Sequence, residues 1–199
     1  MTRAVRALRW CAVACVLALW ALVGGRLESH DGARGQGSFA ERLLGAIAPL
    51  AAGVEWVRAD SAMRAGRWSS AYARAESALA LAPSDPQGWI FLAHHYLYER
   101  TSLGRETDLA QRRAWTEIGL ATLKRGEERS QRPGEVWFDE GVVYAGLSFL
   151  EDDIRPWKGS KREALEHSIA AFEAARVLGH PLALEWTGYM RDGLARLDH

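Results

Sequence analysis

The sequence predicts an all-α protein built from antiparallel helical hairpins that stack on one another. Apolar and small residues recur at three- and four-residue steps, the spacing of one face of an α-helix. Glycines and prolines separate these periodic stretches at the points where helices are expected to end and begin. From Gly66 to Tyr96 the order is helix, tight turn, helix, proline, helix, which is typical of a stacked repeat.

The composition fits one folded body that does not bind nucleic acid. A chain of 199 residues, 48% hydrophobic, can bury a sizeable core, and it suits one domain better than two. The net charge is zero, but residues 1–26 hold four arginines and no acid. The rest holds the other 21 of the 25 basic residues and all 25 acidic ones, a net charge of −4 that argues against a polyanion-binding domain.

An apolar run near the N-terminus predicts membrane attachment. The run "WCAVACVLALWALVGG" at 10–25 has sixteen residues and three arginines before it. It suits either a cleavable signal peptide or a signal anchor, because a signal core needs about 7 to 15 apolar residues and a bilayer span about 20. Trp20 near the end of the run and Arg26 directly after it make a poor cleavage site, so we expect 1–26 to stay attached. The preceding arginines place the N-terminus in the cytoplasm and the rest of the chain outside it.

Both cysteines, Cys11 and Cys15, lie inside this apolar run. The part of the chain outside the membrane is therefore expected to have no disulfide and no thiol chemistry. The residues before Cys15 match a lipid-attachment site loosely, but most of the apolar run follows that cysteine instead of preceding it.

A polar, glycine-rich stretch at 27–37 predicts a flexible linker, which puts the folded domain at 38–199. Ser38 stands three residues before Glu41, as in a capping box, and helical periodicity follows. Pro49 is expected to kink or restart this helix.

The pattern resumes from Leu50 to Ala65, with Val54, Val57 and Ala62 expected to face inward. Gly66 stands where the helix should stop.

The next two helices carry the most regular spacing. The first should run to about Leu81 and bury one face, made of Trp68, Ala71, Ala75, Ala78 and Leu79. Pro83 ends it, Asp85 is a good N-cap, and Pro86 takes the first helical position. The following helix should bury Trp89, Leu92, Ala93 and Tyr96.

This stretch resembles a tetratricopeptide repeat, a 34-residue unit of two helices. With Gly66 at the turn, Ala71 and Ala78 match the small-residue positions of a second helix, and Pro83 matches the terminal proline. The same spacing predicts large, leucine, small and tyrosine positions in the next unit, and these match Trp89, Leu92, Ala93 and Tyr96.

A third unit is indicated by Trp137, Gly141 and Tyr144, followed by a second helix with Phe172, Ala175 and Pro181. A final helix at 182–197 is expected to cap the stack. The resemblance covers roughly residues 50–181, with extra residues inside the second and third units.

The arrangement is also similar to membrane-anchored bacterial repeat proteins of undefined function, through the stretches Trp56–Asp60 and Trp115–Gly126. Together these resemblances imply a scaffold in the bacterial cytoplasmic (inner) membrane, single-pass, with its C-terminal domain outside the cytoplasm. The scaffold would bind a peptide or protein partner without catalysis, cofactor or metal.

In the tetratricopeptide arrangement the first helices line a concave groove. Carried onto this sequence, the resemblance implies that the groove is lined by Trp56, Asp60, Arg64, Ile90, His94, Tyr98, Phe138 and Val142. The competing account is that the helix at 38–50 or the final helix folds into the groove and buries these residues within the chain.

Two further features were open to a functional reading. His94, His95 and Glu99 suggest the alternative of a metal-dependent envelope hydrolase, because His95 and Glu99 share a helix face. The charged stretch at 151–162 around Trp157 fits either a docking loop or a hairpin tip whose tryptophan folds back on the helices.

Overall fold

The computed structural model describes residues 39–197, and within that range the protein is all-helical, with seven α-helices and no strand. The helices are α1 (Phe39–Arg64), α2 (Trp68–Leu81), α3 (Pro86–His94), α4 (Leu109–Arg129), α5 (Pro133–Ser148), α6 (Lys161–Val177) and α7 (Ala183–Ala195). A π-helical segment, His95–Arg100, follows α3 directly.

The predicted anchor at 1–26, the linker at 27–37 and Ser38 lie outside the described residues. From Phe39 onward, no helix in this described part combines the length and apolar character needed to cross a membrane. The described chain divides into two compact units, with the boundary between Ala82 and Pro83. The single domain predicted over 38–199 stays a prediction.

In the first unit, α1 and α2 pack through small side chains. The buried residues are Ala52, Ala59 and Ala62 on α1 and Ala71, Ala75, Ala78 and Leu79 on α2. Alanines at these positions let the two helices approach closely. The inward face predicted for α2 is confirmed for Ala71, Ala75, Ala78 and Leu79, whereas Trp68 is only half-buried.

The inward positions predicted for Val54 and Val57 are wrong, since these side chains are 50% and 69% exposed. The alanine face explains the difference, because Val57 lies two residues from the buried Ala59, about 200° around the helix. The two larger residues therefore lie outside the α1–α2 contact, and only Ala62 of the three faces inward as predicted.

Pro49 does not interrupt α1, which runs unbroken from Phe39 to Arg64, so the predicted restart is wrong, and the kink stays a prediction. Proline removes one backbone donor, and the alanines on either side of it are strong helix formers. The predicted stop at Gly66 is confirmed: its φ is 69°, and Arg67 N donates to Ala62 O at 2.9 Å. Only glycine adopts this left-handed conformation at little cost.

The second unit begins where the sequence predicted a helix start. Asp85 accepts a hydrogen bond from Gln87 N at 3.1 Å, and Pro86 takes the first position of α3. Trp89 is buried, and its indole N–H donates to Pro83 O at 2.9 Å. A Cβ on Gly126 would lie 2.7 Å from Trp89 Cβ, so the glycine allows α4 to lie directly against this tryptophan.

Within this unit each helix packs against the next one, and α3 also packs against α5. One buried cluster joins α3, α4, α5 and α6 through Ala93, Leu97, Leu123, Val136, Val143, Tyr144, Leu147 and Ala164. A second cluster joins α5, α6 and α7 through Ala145, Leu165, Phe172 and Met190. The predicted final helix is confirmed as α7, which is one residue shorter at its start and two residues shorter at its end.

Two buried arginines organise the connections that the repeat pattern did not specify. Arg112 Nε donates to Thr101 O at 2.7 Å, which fixes the end of the π-helical segment. Arg155 donates to the carbonyl oxygens of Leu147, Leu150 and Gly159, at 3.0, 2.6 and 3.0 Å. Charged donors satisfy backbone carbonyls that would otherwise be buried without a partner.

Trp157 folds back onto the helices from the loop between α5 and α6. Its ring lies edge-on to Tyr144, 5.3 Å between centroids, and to His167, 5.7 Å. This geometry fits the hairpin-tip account of residues 151–162, in which the tryptophan packs within the chain.

Candidate functional site

The eight residues of the predicted groove fall in both units. In the first unit Trp56 and Asp60 are half-buried, and Arg64 is exposed and forms an ion pair with Asp60. In the second unit Ile90 lies on α3, His94 ends that helix, and Tyr98 lies in the π-helical segment. Phe138 and Val142 lie on α5.

His94 and Tyr98 form the most developed polar contact in this set, together with Asp139 of α5. The His94 Nε2 atom lies 2.8 Å from one Asp139 carboxylate oxygen and 2.9 Å from the other. The Tyr98 ring stands edge-on to the His94 ring, with 4.9 Å between centroids. We call these three side chains the histidine cluster.

Within the histidine cluster, the Tyr98 side chain is partly exposed, whereas the Asp139 carboxylate is largely covered. Tyr98 is 49% exposed. Partial burial, and then the negative charge of Asp139, raise the pKa of the Tyr98 hydroxyl above its ordinary value. The phenol therefore stays protonated at neutral pH and can donate a hydrogen bond, but it is a weak base and nucleophile.

A second polar contact joins α3 and α5 closer to the start of both helices. Gln87 Nε2 donates to Glu135 Oε2 at 3.0 Å, and Arg132 pairs with the other oxygen of Glu135 at 2.5 Å. Together with the contact between His94 and Asp139, it fixes α3 alongside α5. Two side-chain contacts therefore link α3 to α5, and such links are the kind of support that a binding site needs.

The apolar members of the predicted groove are mostly covered by the chain itself. Phe138 stacks on His180 with 3.9 Å between centroids, and its ring is tilted against Phe172 at 5.2 Å and edge-on to Trp186 at 6.0 Å. Val142 packs against the same cluster of α5, α6 and α7, and Ile90 packs against the other cluster. For Phe138 and Val142 this geometry agrees with the competing account, in which the final helix folds into the groove; the groove as a whole stays a prediction.

The three residues of the metal hypothesis do not converge. His94 binds Asp139, and Glu99 pairs with Arg105 at the surface at 3.2 Å. His95 is buried, and this burial lowers the pKa of its imidazole. Across residues 39–197, no three His, Cys, Asp or Glu side chains form a group that could hold a metal ion.

Asp139, Gln87 and Glu135 were missed by the sequence interpretation. His94 and Asp139 are separated by 45 positions, so their contact depends on the position of α5 along the axis of α3. One signal was available, because Asp139 directly follows Phe138, a residue that the repeat spacing had already assigned to the groove.

No protein-family model, curated protein or solved structure matches the chain.

Proposed function

We propose that this chain is a membrane-anchored, tetratricopeptide-like scaffold that binds a peptide or protein partner in the bacterial cell envelope without catalysing a reaction. The proposal combines three parts: a repeat architecture, a partner-binding surface and an N-terminal anchor. Each part has its own support and its own test.

The repeat architecture is supported by the way the helices pack in the second unit. α3 packs against α4 and also against α5, and α5 packs against α6. A first helix in a stacked hairpin contacts both its own second helix and the first helix of the next unit. In this proposal α3–α4 and α5–α6 are two successive units, α1–α2 is the preceding one, and α7 is the cap.

The histidine cluster is the observation that carries the binding proposal. It presents a half-exposed tyrosine, backed by a histidine whose orientation is fixed by Asp139. A second exposed aromatic ring, Phe149, caps α5 and is 74% exposed. Aromatic side chains on a rigid support are the residues that most often dominate the energy of a protein interface.

The chemistry of the cluster favours binding over catalysis. An imidazole held by a carboxylate acts in hydrolases when a serine or cysteine nucleophile lies on its other side. Here the ring beside His94 is Tyr98, whose raised pKa keeps the hydroxyl protonated. Hydrogen bonding and stacking by Tyr98 are the contributions that this geometry offers to a bound chain.

The anchor is supported by the apolar run at 10–25 and its flanking arginines. It predicts that the full-length protein sediments with membranes and resists extraction by carbonate. Protease added to intact spheroplasts should digest the domain at 38–199. Recovery of the protein in the soluble periplasmic fraction would contradict the anchor, but it would not bear on the binding proposal.

The binding proposal is tested by site-specific photo-crosslinking in cells. A photoreactive amino acid replaces Tyr98, and a matched control places the same group at the exposed Ile118 of α4. We expect one discrete adduct from position 98 and none of that size from position 118. Equal adducts from both positions, or none from position 98 with the protein present in the membrane, would contradict a specific surface around Tyr98.

A further inference from the structure

An exposed stripe of apolar side chains runs along α1, away from the histidine cluster. Leu50, Val54 and Val57 lie three and four positions apart, so they share one face of the helix. Each of the three side chains is at least half exposed. The half-buried Ile47 continues the same face one turn earlier. We call these four residues the α1 stripe.

The α1 stripe lies opposite the face that packs on α2. Val54 stands two positions from the buried Ala52, about 200° around the helix, and Val57 has the same relation to the buried Ala59. α1 therefore has two apolar faces, of which α2 covers one and the other is exposed. A contiguous exposed apolar face on a folded domain is typical of an interaction surface.

The length of chain before α1 limits what this face can reach. Thirteen residues, 26–38, separate the apolar run at 10–25 from Phe39, where α1 begins. A flexible linker of that length spans about 20 Å on average and about 45 Å when fully extended. α1 has 26 residues and is itself about 39 Å long. With the apolar run in the bilayer, the start of α1 is on average closer to the membrane surface than the length of the helix.

Two arginines border the α1 stripe. Arg58 lies four positions after Val54, beside the stripe on the helix surface. Arg64 lies seven positions after Val57, two turns further along the same side. Both side chains are exposed, although each also pairs with an acidic residue of α1. Arginines at the border of an apolar face extend toward lipid phosphates while that face enters the boundary between head groups and acyl chains.

The charge of the two units agrees with a membrane contact through the first one. Residues 39–82 hold five arginines and four acidic residues, whereas residues 83–199 hold fifteen basic and nineteen acidic ones. A bilayer that contains anionic lipid attracts basic segments and repels acidic ones. Of the two units, the first is therefore the one suited to lie against a membrane.

We propose that the α1 stripe binds the surface of the bilayer that holds the N-terminal anchor, with α1 parallel to the membrane. The stripe meets this bilayer only if the anchor is present, so the assignment rests on the proposed function. Leu50, Val54 and Val57 enter the boundary between head groups and acyl chains, and α2 stays on the aqueous side. The first unit is then held flat on the membrane instead of moving freely on the linker.

The test places a fluorescent label on the α1 stripe of the full-length chain in lipid vesicles. Val54→Cys carries the label in a background with Cys11→Ala and Cys15→Ala, and the matched control is Ala73→Cys, exposed on α2. The vesicles contain phosphatidylethanolamine and phosphatidylglycerol, with or without a lipid that has a nitroxide quencher on its acyl chain. We expect the label at 54 to lose more than about half of its emission to the quencher, because an interfacial helix buries its apolar face about 5 to 10 Å deep. The label at 73 should lose little.

Two further measurements keep the test valid. Circular dichroism melts check that each labelled chain keeps the native Tm, and Val57→Cys repeats the experiment on the same stripe if Val54→Cys fails to fold. Flotation of the vesicles on a density gradient shows whether the full-length chain is attached to them before any quenching is measured.

The outcomes separate this proposal from the proposed function. A chain that floats with the vesicles while the label at 54 behaves like the label at 73 would place the stripe in water and overturn the proposal. A label at 54 whose emission shifts to the blue without quenching by the nitroxide lipid would overturn it too, because a second copy or the chain's own residues 1–38 would then cover the stripe. A chain that does not float with the vesicles would contradict the anchor itself, and the proposal would fall with it.

Discussion

Replacing Gly141 with alanine tests the contact between α5 and α6, because this glycine lies against a fully buried ring. A Cβ at position 141 would come within 2.6 Å of Phe172 Cδ1 and Cε1. Phe172 is itself enclosed by Phe138 and Trp186, so the ring has little room to move. The Gly141 carbonyl also accepts a hydrogen bond from Ser168 Oγ at 2.8 Å.

Two opposing effects decide the size of the change. Alanine is about 1 kcal/mol better than glycine inside a helix, and overpacking a close-packed core costs about 1 to 3 kcal/mol. Because the contact is about 1 Å shorter than a normal carbon–carbon distance, we expect the cost to lie in the upper part of that range. Gly141→Ala should therefore destabilise the protein by about 1 to 2 kcal/mol net.

Gly146 provides the matched control on the same helix. A Cβ there meets nothing within 4 Å, so Gly146→Ala should stabilise the protein by up to about 1 kcal/mol. The two variants should differ by about 2 kcal/mol, or about 4 to 8 °C in Tm for a chain of this size. Circular dichroism melts of the full-length chain measure the difference.

A double-mutant cycle tests whether the cost of Gly141→Ala comes from its contact with Phe172. Phe172→Leu replaces the ring that the new Cβ would strike, so the penalty of Gly141→Ala should shrink in that background. If Gly141→Ala were as stable as Gly146→Ala in the native background, the close approach of α5 and α6 would be refuted.

Three other predictions concern the first unit, the loop between α5 and α6, and the N-terminus. Ala71→Leu should cost about 1 to 3 kcal/mol by overpacking the α1–α2 contact, whereas Ser70→Leu, exposed on the same helix, should leave the Tm nearly unchanged. Arg155→Met should cost about 2 to 4 kcal/mol and expose 149–160 to limited proteolysis, since three carbonyls lose a buried charged donor; equal resistance of native and variant chains would contradict this. N-terminal sequencing of the mature protein should find 1–26 still attached, and a chain beginning near residue 26 would count against the anchor.

The helix ends were the most predictable part of the fold. Gly66, Asp85 and Pro86 act through local backbone geometry, which the sequence specifies directly. The buried alanines of α2 were predictable for a similar reason, because their spacing leaves only one face on which all of them can lie.

Other features depended on contacts between distant residues. Val54 and Val57 were misassigned because hydrophobicity alone favours a valine over an alanine at a buried position, while close helix packing reverses that preference. The contact between His94 and Asp139 depends on the position of α5 along the axis of α3. A single sequence does not specify that position.

The measurement that tests the central claim most directly is the affinity of the crosslinked partner for purified full-length protein. We expect Tyr98→Ala to raise the Kd at least about 10-fold, because exposed aromatic anchors contribute about 1.4 kcal/mol or more at an interface. The Tm should stay nearly unchanged, since Tyr98 is half exposed. The control Ile118→Ala should bind like the native chain. If Tyr98→Ala binds as tightly as the native protein, the surface around Tyr98 is not the binding site.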